Sequence, residues 1–338
     1  MTCIYDVRWS GEHGIGRFSR EIAARLNIVE YKESGQPMSP ADPFKLSLTL
    51  RKFPANSWFF SPGYNSPILP VIPYVLTIHD LNHIDRHENS SSLKRIYYKT
   101  VLRHLCRNAR AILTVSEFSK ERVVDWSGVS ACKVFNVGNG VSEVFTPAGK
   151  KYNPGYEYIL CVSNRKGHKN EMGVLRSFAK AKLPSQVHLV LTGDETSELR
   201  ILAQSLGIGA ELAFTGRVSE DDLAALYRGA LFLVFPSFYE GFGLPIVEAF
   251  ACGTAVISSN VTSMPEIAGD AALLIDPSSD SELITAMQSL YRDTALCAEL
   301  VTRGRSRVSR FTWDAVASRV RDAVAAVNEL PGENLNWE

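Results

Sequence analysis

Two glutamates separated by seven residues stand in the segment Pro236–Ala249, PSFYEGFGLPIVEA. Glu240 lies in a glycine-rich loop after the apolar run LFLVF, where a backbone rich in glycine can approach a ligand closely. Pro245 suits the start of a helix, which places Glu248 in the first turn, where the helix dipole favours a carboxylate. Two carboxylates around such a turn can accept hydrogen bonds from sugar hydroxyls; the alternative is that Glu248 is only a charge at a helix start.

A cluster of cations occupies the segment Val162–Asn170, VSNRKGHKN, between an apolar strand pattern and a helical pattern. Arg165, Lys166 and Lys169 would crowd at one strand-to-helix turn beside a helix N-terminus, and both features favour a polyanion such as a diphosphate. The alternative is a solvated surface cluster. Its position at a strand end favours the binding function.

A glycine-rich turn, Gly11–Arg17 (GEHGIGR), follows the opening strand pattern and precedes a helical one. Backbone N–H groups of such a turn can approach an anion at a helix N-terminus. A tight structural turn is an equal alternative. The dinucleotide fingerprint requires a third glycine, but Ser19 stands there, which argues against an oxidoreductase.

A histidine and an aspartate, His79 and Asp80, follow the apolar strand pattern that ends at Ile78. Ligands of open α/β sheets bind at the carboxyl ends of strands, and a histidine there can hydrogen-bond a hydroxyl or a phosphate. The alternative is a pair that caps the loop. The spacing to His83 and His87 does not suggest a zinc site.

Short apolar runs alternate with longer amphipathic stretches along the whole chain, which predicts strands and helices in turn. The runs are rich in β-branched residues, as in parallel strands covered on both faces. The fold class is therefore α/β, with two Rossmann-like doubly wound domains. Strands are predicted near Cys3–Val7, Trp58–Phe60, Tyr74–Ile78, Ala111–Val115, Lys133–Val137, Tyr158–Val162, His188–Thr192, Glu211–Phe214, Leu231–Phe235, Ala255–Ser258 and Ala272–Ile275.

The predicted boundary between the domains lies in Thr146–Tyr156, which holds two prolines and two glycines. The predicted domains are therefore residues 1–148 and 149–310, followed by a C-terminal helix within 311–330.

Composition excludes several classes of protein. The 338 residues suit about two domains, and 36 basic and 36 acidic residues give no net charge, which argues against a nucleic-acid partner. Six cysteines are spread singly, as in a reduced cytoplasmic protein. The sequence shows neither a membrane-spanning run nor a signal-peptide core.

With these segments in view, the chain resembles the family 4 glycosyltransferases, retaining enzymes of the GT-B architecture. The motifs that carry the resemblance are the GIGR turn, His79-Asp80, Ser116–Ser119, Lys169-Asn170, the element from Glu240 to Glu248 and the segment Ser259–Pro277. The resemblance implies two Rossmann-like domains facing across a cleft, an acceptor-side first domain and a nucleotide-sugar in the second.

The resemblance also implies roles for individual residues. Glu248 would hold the ribose, Glu240 and the neighbouring backbone the donor sugar, and Lys169 the diphosphate. Arg165 is the candidate for the partner arginine, although it stands closer to Lys169 than the corresponding arginine does in many relatives. The implied catalytic residues are His79, Arg165, Lys169 and Glu240, and the implied donor-binding residues are Gly14, Gly16, Arg165, Lys169, Glu240, Gly241, Phe242, Gly243, Leu244 and Glu248.

We expect metal-independent turnover without a cofactor. Cleavage of a sugar–diphosphate bond leaves negative charge on the diphosphate, and the sequence contains no Asp-x-Asp element to recruit a metal for it. Lys169, Arg165 and helix N-termini would then stabilise that charge. The nucleotide-sugar is a substrate.

Donor and acceptor are less sharply indicated. The chain looks most like bacterial enzymes that transfer mannose from GDP-mannose in surface-polysaccharide assembly; UDP-hexose and dTDP-rhamnose donors stay open. The predicted helix Ser92–Arg110 carries six Lys or Arg and no acid, interleaved with Tyr97, Tyr98 and Leu102. It would either contact an anionic membrane at its inner face, near a lipid-linked acceptor, or pack its apolar stripe inward.

Two alternative functions belong to other classes of protein. A Rossmann oxidoreductase or epimerase is opposed by the incomplete glycine fingerprint. A non-catalytic sugar-nucleotide sensor of the same fold is opposed only by the retention of Lys169 and His79.

Overall fold

The structure is a computed structural model in which residues 2–9, 11, 14–33, 35–86 and 90–328 are described. The chain divides into two compact units. The first comprises the described residues up to Gly140 together with those from Thr312 onward, and the second is Val141–Phe311.

The first unit contains a six-stranded parallel sheet in the order β2-β1-β3-β4-β5-β6. Its strands are β1 (Thr2–Asp6), β2 (Val29–Tyr31), β3 (Ser57–Ser61), β4 (Tyr74–Thr77), β5 (Ala111–Thr114) and β6 (Val134–Asn136). Its helices are α1 (Gly14–Ala23), α2 (Asp42–Thr49), α3 (Asn82–Asp85), α4 (Ser92–Tyr97), α5 (Arg103–Asn108), α6 (Glu117–Ser127) and, from the end of the chain, α14 (Trp313–Asn328).

Both faces of this sheet are covered by apolar side chains, because successive residues of a strand point to opposite faces. In β3, Trp58 and Phe60 pack in one cluster with Trp313 of α14, whereas Phe59 packs in the other with Leu46 of α2. A sheet buried on both sides explains the continuous apolar runs of its strands.

The second unit contains another six-stranded parallel sheet, in the order β12-β11-β10-β7-β8-β9. Its strands are β7 (Glu157–Cys161), β8 (Val187–Leu191), β9 (Leu212–Phe214), β10 (Phe232–Phe235), β11 (Ala255–Ser259) and β12 (Leu273–Ile275). Its helices are α7 (Glu171–Ala181), α8 (Ser197–Ser205), α9 (Glu220–Gly229), α10 (Leu244–Cys252), α11 (Met264–Ala268), α12 (Asp280–Arg292) and α13 (Thr294–Val308).

Two doubly wound parallel sheets confirm the predicted fold class, and each predicted strand has a counterpart. The prediction omitted β2, which has the three residues VEY and exposes Val29 and Glu30. A short edge strand with a charged side chain lacks the apolar run by which the other strands were found.

The division between the units falls earlier in the chain than the predicted boundary at residues 148–149. Residues after Gly140 pack with the second unit, since the N–H of Val141 donates to the Phe311 carbonyl over 2.8 Å. Arg228 of α9 also donates through Nη1 to the Thr146 carbonyl over 3.1 Å. The proline- and glycine-containing stretch is thus tied to the second unit.

Candidate functional site

The order of the second sheet defines where a ligand would bind. Strands β7 and β10 are neighbours, paired through Leu160 and Leu233, and the chain winds outward from them in both directions. Ligands of open α/β sheets bind in the crevice at such a switch point, outside the carboxyl ends of the strands. The two segments that leave these ends are 162–170 and 236–243, the ones that the sequence analysis singled out.

Lys169 and Glu240 meet at this edge. The Lys169 Nζ donates to Glu240 Oε1 over 2.7 Å, and the two side chains are only 13% and 15% exposed. The ammonium also lies 4.9 Å from the centre of the Phe235 ring, at the end of β10. A cation held between a carboxylate and a ring face, with part of its surface open, is positioned to bind an anion.

The loop around Glu240 is fixed through its backbone. Ser263 Oγ is 3.0 Å from both the Glu240 and the Phe242 carbonyl oxygens, to which its hydroxyl can donate, and the Glu240 N–H donates to Thr262 Oγ1 over 3.3 Å. Gly243 then takes a left-handed φ of 101° before α10 begins at Leu244. The segment Ser259–Pro277 holds Thr262 and Ser263, but its sequence alone does not predict this contact.

Glu248 lies in the second turn of α10, not in the first turn as predicted, because the helix begins at Leu244. Its residue is 3% exposed, and Oε2 accepts a hydrogen bond of 2.9 Å from the Tyr227 hydroxyl of α9. The dipole of α10 therefore does not explain why the Glu248 carboxylate lies at this buried position. Tyr227 was not found from the sequence, since the contact joins two helices whose packing no local pattern reveals.

Arg165 contacts three other residues of the second unit. Its Nε donates to the Asp194 carbonyl over 2.7 Å, its Nη1 pairs with Glu171, and its guanidinium lies 5.2 Å from the Phe214 ring centre at the end of β9. Asp194 and Phe214 thus hold the guanidinium on the β8–β9 side. The shared role of Arg165 and Lys169 on a diphosphate stays a prediction.

Two serines follow the strands that flank the switch point. Ser163, after β7, and Ser237, after β10, both have a buried hydroxyl oxygen with no hydrogen-bond partner among the described residues. The Ser163 N–H donates to Thr192 Oγ1 over 3.0 Å, so that its backbone is fixed. Neither serine is among the predicted site residues, although a place immediately after an apolar strand is a usable signal.

His79 lies at the carboxyl edge of the first sheet and is 7% exposed. Its Nε2 is 2.9 Å from the Pro62 carbonyl, to which it donates, and its ring contacts Phe18 of α1 edge-on at 5.1 Å. Asp80 caps the turn, because Asp80 Oδ1 accepts from the Asn82 N–H over 3.0 Å.

The predicted glycine turn precedes α1, which begins at Gly14. A Cβ atom on Gly16 would stand 2.1 Å from the Gly11 carbonyl oxygen, so that only glycine fits there. Residues 12 and 13 of the motif lie outside the described residues. The Gly14–Gly16 turn and His79 belong to the first unit, whereas Lys169, Glu240 and Glu248 belong to the second.

Among the residues that the structure describes, no group of three or more His, Cys, Asp or Glu side chains is arranged to hold a metal ion. Among the described helices, none combines the length and the apolar character that a membrane span requires.

Comparison with known proteins extends over most of the chain. A family described as Glycosyltransferase Family 4 matches residues 18–144, and one described as Glycosyl transferases group 1 matches residues 145–307. The O-antigen chain mannosyltransferase B of Escherichia coli is 32% identical over 257 residues, which are 71% of this chain and 67% of that protein.

One further protein is similar in sequence and another is similar in fold. The serotype-specific mannosyltransferase WbdA of Escherichia coli is 29% identical over 61% of this chain, but the match spans only 27% of that longer protein. Sucrose-phosphate synthase from Thermosynechococcus elongatus superimposes with a TM-score of 0.77 over 97% of this chain and 100% of its own, at 19% identity. The second similarity concerns the fold alone.

Proposed function

Because the chain belongs to the family 4 glycosyltransferases, we propose that it moves mannose from GDP-mannose to a glycan or lipid-linked oligosaccharide during polysaccharide or O-antigen assembly. Two relatives named as mannosyltransferases support the choice of sugar. The observation that carries the proposal is the ion pair of Lys169 and Glu240 at the switch point of the second sheet.

The donor would lie along the carboxyl edge of the second sheet. Lys169 binds the diphosphate, and Glu240 with the Phe242–Leu244 backbone binds the sugar. Glu248, whose carboxylate accepts a hydrogen bond from the Tyr227 hydroxyl, also accepts from the ribose hydroxyls. Ser163 and Ser237 supply hydroxyl donors at the same edge of the sheet, where each follows the end of its strand.

The reaction is the retaining transfer that membership of the family implies. The bond between the sugar C1 and the diphosphate oxygen breaks, and a bond from the acceptor oxygen to C1 forms on the same face. The acceptor proton passes to the departing diphosphate. Lys169 stabilises the negative charge that grows on this leaving group, so turnover needs no metal ion. His79, anchored by the Pro62 carbonyl, serves the acceptor side of the first unit.

UDP-hexose and dTDP-rhamnose remain as alternative donors of the same chemical class. They differ from GDP-mannose in the base and the sugar but present the same diphosphate to Lys169. A sugar-nucleotide sensor without turnover would also use this edge, and only product formation separates it from an enzyme. A cytoplasmic site of action agrees with donors made inside the cell.

A thermal-shift screen of GDP-mannose, UDP-glucose and dTDP-rhamnose tests the donor, since a ligand that binds only the folded state raises the melting temperature. We expect GDP-mannose alone to raise it, and Glu248→Gln to reduce the shift. Glu198→Gln, on the exposed face of α8, is the matched control and retains the full shift.

The same donors are then offered with a lipid-linked acceptor, and product is followed by mass spectrometry. Stabilisation by UDP-glucose only would overturn the mannose assignment. Stabilisation by GDP-mannose without any product would overturn the enzymatic one.

A further inference from the structure

Left-handed backbone is concentrated at the carboxyl edge of the second sheet. Among the described residues, four that are not glycine have a φ in the left-handed region: Arg165, Asn170, Lys182 and Thr262. Three of them stand in loops that leave the carboxyl ends of β7 and β11, whereas Lys182 stands at the end of α7. Backbone of this kind is unfavourable for a residue with a side chain and persists where the surroundings impose it, often at functional sites.

Thr262 is the least expected of the four. Its φ is 56°, and its side chain is branched at Cβ, which makes a left-handed conformation a true outlier. Asparagine tolerates this conformation, and a left-handed residue is a common way for a helix to end, as at Lys182. These explanations cover Asn170 and Lys182 but not Thr262, so that its strained backbone needs another cause.

The hydroxyl of Thr262 is bonded to the loop that carries Glu240. We call residues 260–263, between β11 and α11, the clamp loop. The Glu240 N–H donates to Thr262 Oγ1 over 3.3 Å, and the same hydroxyl donates to Met264 Sδ over 3.4 Å. Because Met264 is fully buried, this second contact fixes the position of Oγ1 from the core side.

Ser263 completes the hold on Glu240. It occupies the N-cap position of α11, but in the described part of the chain its side chain makes no capping hydrogen bond, and its hydroxyl instead lies 3.0 Å from both the Glu240 and the Phe242 carbonyl oxygens. The peptide groups on both sides of the Glu240 Cα are thus bonded to consecutive residues of the clamp loop. Since these two groups set the direction of the Cα–Cβ bond, the clamp loop fixes where the Glu240 side chain starts.

The clamp loop is itself anchored on both sides. The Asn260 N–H donates to the Ile275 carbonyl of β12 over 2.8 Å, and Arg307 Nη2 of α13 donates to the Glu266 carbonyl of α11 over 2.8 Å. The left-handed turn at Thr262 therefore lies between two fixed points, which explains how its strain is maintained.

From these contacts we infer that Thr262 is a positioning residue for the transfer reaction. Its left-handed backbone brings Oγ1 to the Glu240 N–H and so fixes the base of the Glu240 side chain, while Lys169 holds the carboxylate at the tip over 2.7 Å. Glu240 is thereby oriented before the donor sugar arrives, and such preorganisation lowers the barrier to transfer. The inference rests on the proposed function, because the orientation of Glu240 affects turnover only if its carboxylate binds the sugar.

Three substitutions of Thr262 separate the hydroxyl from the strain. Thr262→Ser keeps the hydroxyl, Thr262→Gly removes both the hydroxyl and the strain, and Thr262→Val keeps the branched side chain without the hydroxyl. We expect kcat for transfer from GDP-mannose to stay within about threefold of the wild type in Thr262→Ser and to fall by about tenfold to a hundredfold in the other two. The melting temperature follows the strain instead, so that Thr262→Gly melts at or above the wild type and Thr262→Val below it.

Two further measurements do not depend on turnover. Amide hydrogen exchange at Glu240 should be slow in the wild type and in Thr262→Ser and about tenfold faster in Thr262→Gly and Thr262→Val, because the bond to the Glu240 N–H is lost. GDP, which lacks the sugar, should raise the melting temperature of Thr262→Gly as much as that of the wild type. Lys182→Gly is the matched control, since it relieves a left-handed φ of 49° at the exposed end of α7 and retains wild-type kcat and exchange.

Wild-type kcat in Thr262→Gly would overturn the inference, as would unchanged exchange at Glu240 or a kcat that follows the melting temperature across the three variants. An equal loss of kcat in Lys182→Gly would overturn it as well. The proposed function fails separately, since a wild type that protects the Glu240 amide through Thr262 but forms no product from any of the three donors contradicts the function and not the hold of Thr262 on Glu240.

Discussion

Replacement of Lys169 by methionine removes the cation at the switch point but keeps an apolar stem against Phe235. The structure holds the ammonium 2.7 Å from Glu240 with only 13% of the side chain exposed, so it is preorganised for a developing anion. Loss of one preorganised partner costs about 2.7–4 kcal/mol of transition-state stabilisation, or roughly 10²–10³ in kcat. We expect a loss of this size in Lys169→Met.

Stability changes less than activity in this variant. Glu240 is left without its cation, which costs about 1–3 kcal/mol for a partly buried group, and its backbone remains held by Ser263. The melting temperature should therefore fall by several degrees while the fold persists. Lys180→Met is the control, since Lys180 is 58% exposed and pairs with Asp280 at 3.5 Å on the surface.

A double substitution separates two roles of Lys169. If the lysine only neutralised Glu240, Lys169→Met/Glu240→Gln would recover the stability and the activity lost in the single variant. If the lysine stabilises the leaving diphosphate, the double variant recovers stability alone. Steady-state transfer kinetics and thermal unfolding measure both. Wild-type kcat in Lys169→Met would refute the reasoning.

Two other perturbations test the packing. Gly16→Ala would place its Cβ 2.1 Å from the Gly11 carbonyl oxygen, so the free energy of unfolding should fall by about 1–3 kcal/mol in a thermal unfolding experiment. Gly209→Ala is the control and should be neutral, because its nearest new contact is at 3.6 Å. Equal stability of the two variants would contradict the tight turn. Burial raises the pKa of the Cys106, Cys161 and Cys252 thiols to about 12. A disulfide reagent near pH 8 should therefore react rapidly with the exposed Cys132 and slowly with these three thiols. Mass spectrometry locates the label, and fast labelling of Cys161 in the folded protein would contradict its burial.

The strands could be predicted because each buried strand is a short apolar run between polar turns. Lys169 and Glu240 could also be predicted to approach each other, since both follow such runs and the carboxyl ends of parallel strands share one edge. The positions of these two residues directly after strand runs thus indicated that they are close in the fold.

The remaining features depend on packing between distant segments. The bond from Tyr227 to Glu248 joins α9 to α10, and the contacts that hold Arg165 come from Asp194 and Phe214. Neither partner is marked by a local pattern. Likewise, the helical pattern around Tyr98 showed that an apolar stripe existed but did not show that it faces the core.

The return of α14 to the first unit has a consequence for biosynthesis. Its Trp313 and Val320 fill the core beside Phe18 and Trp58, so the first unit combines a segment that precedes the second unit with one that follows it, whereas the second unit is contiguous. A chain emerging from the ribosome can therefore complete the second unit before the first. The sheet of the first unit must wait, with part of one apolar face uncovered, until α14 has been translated.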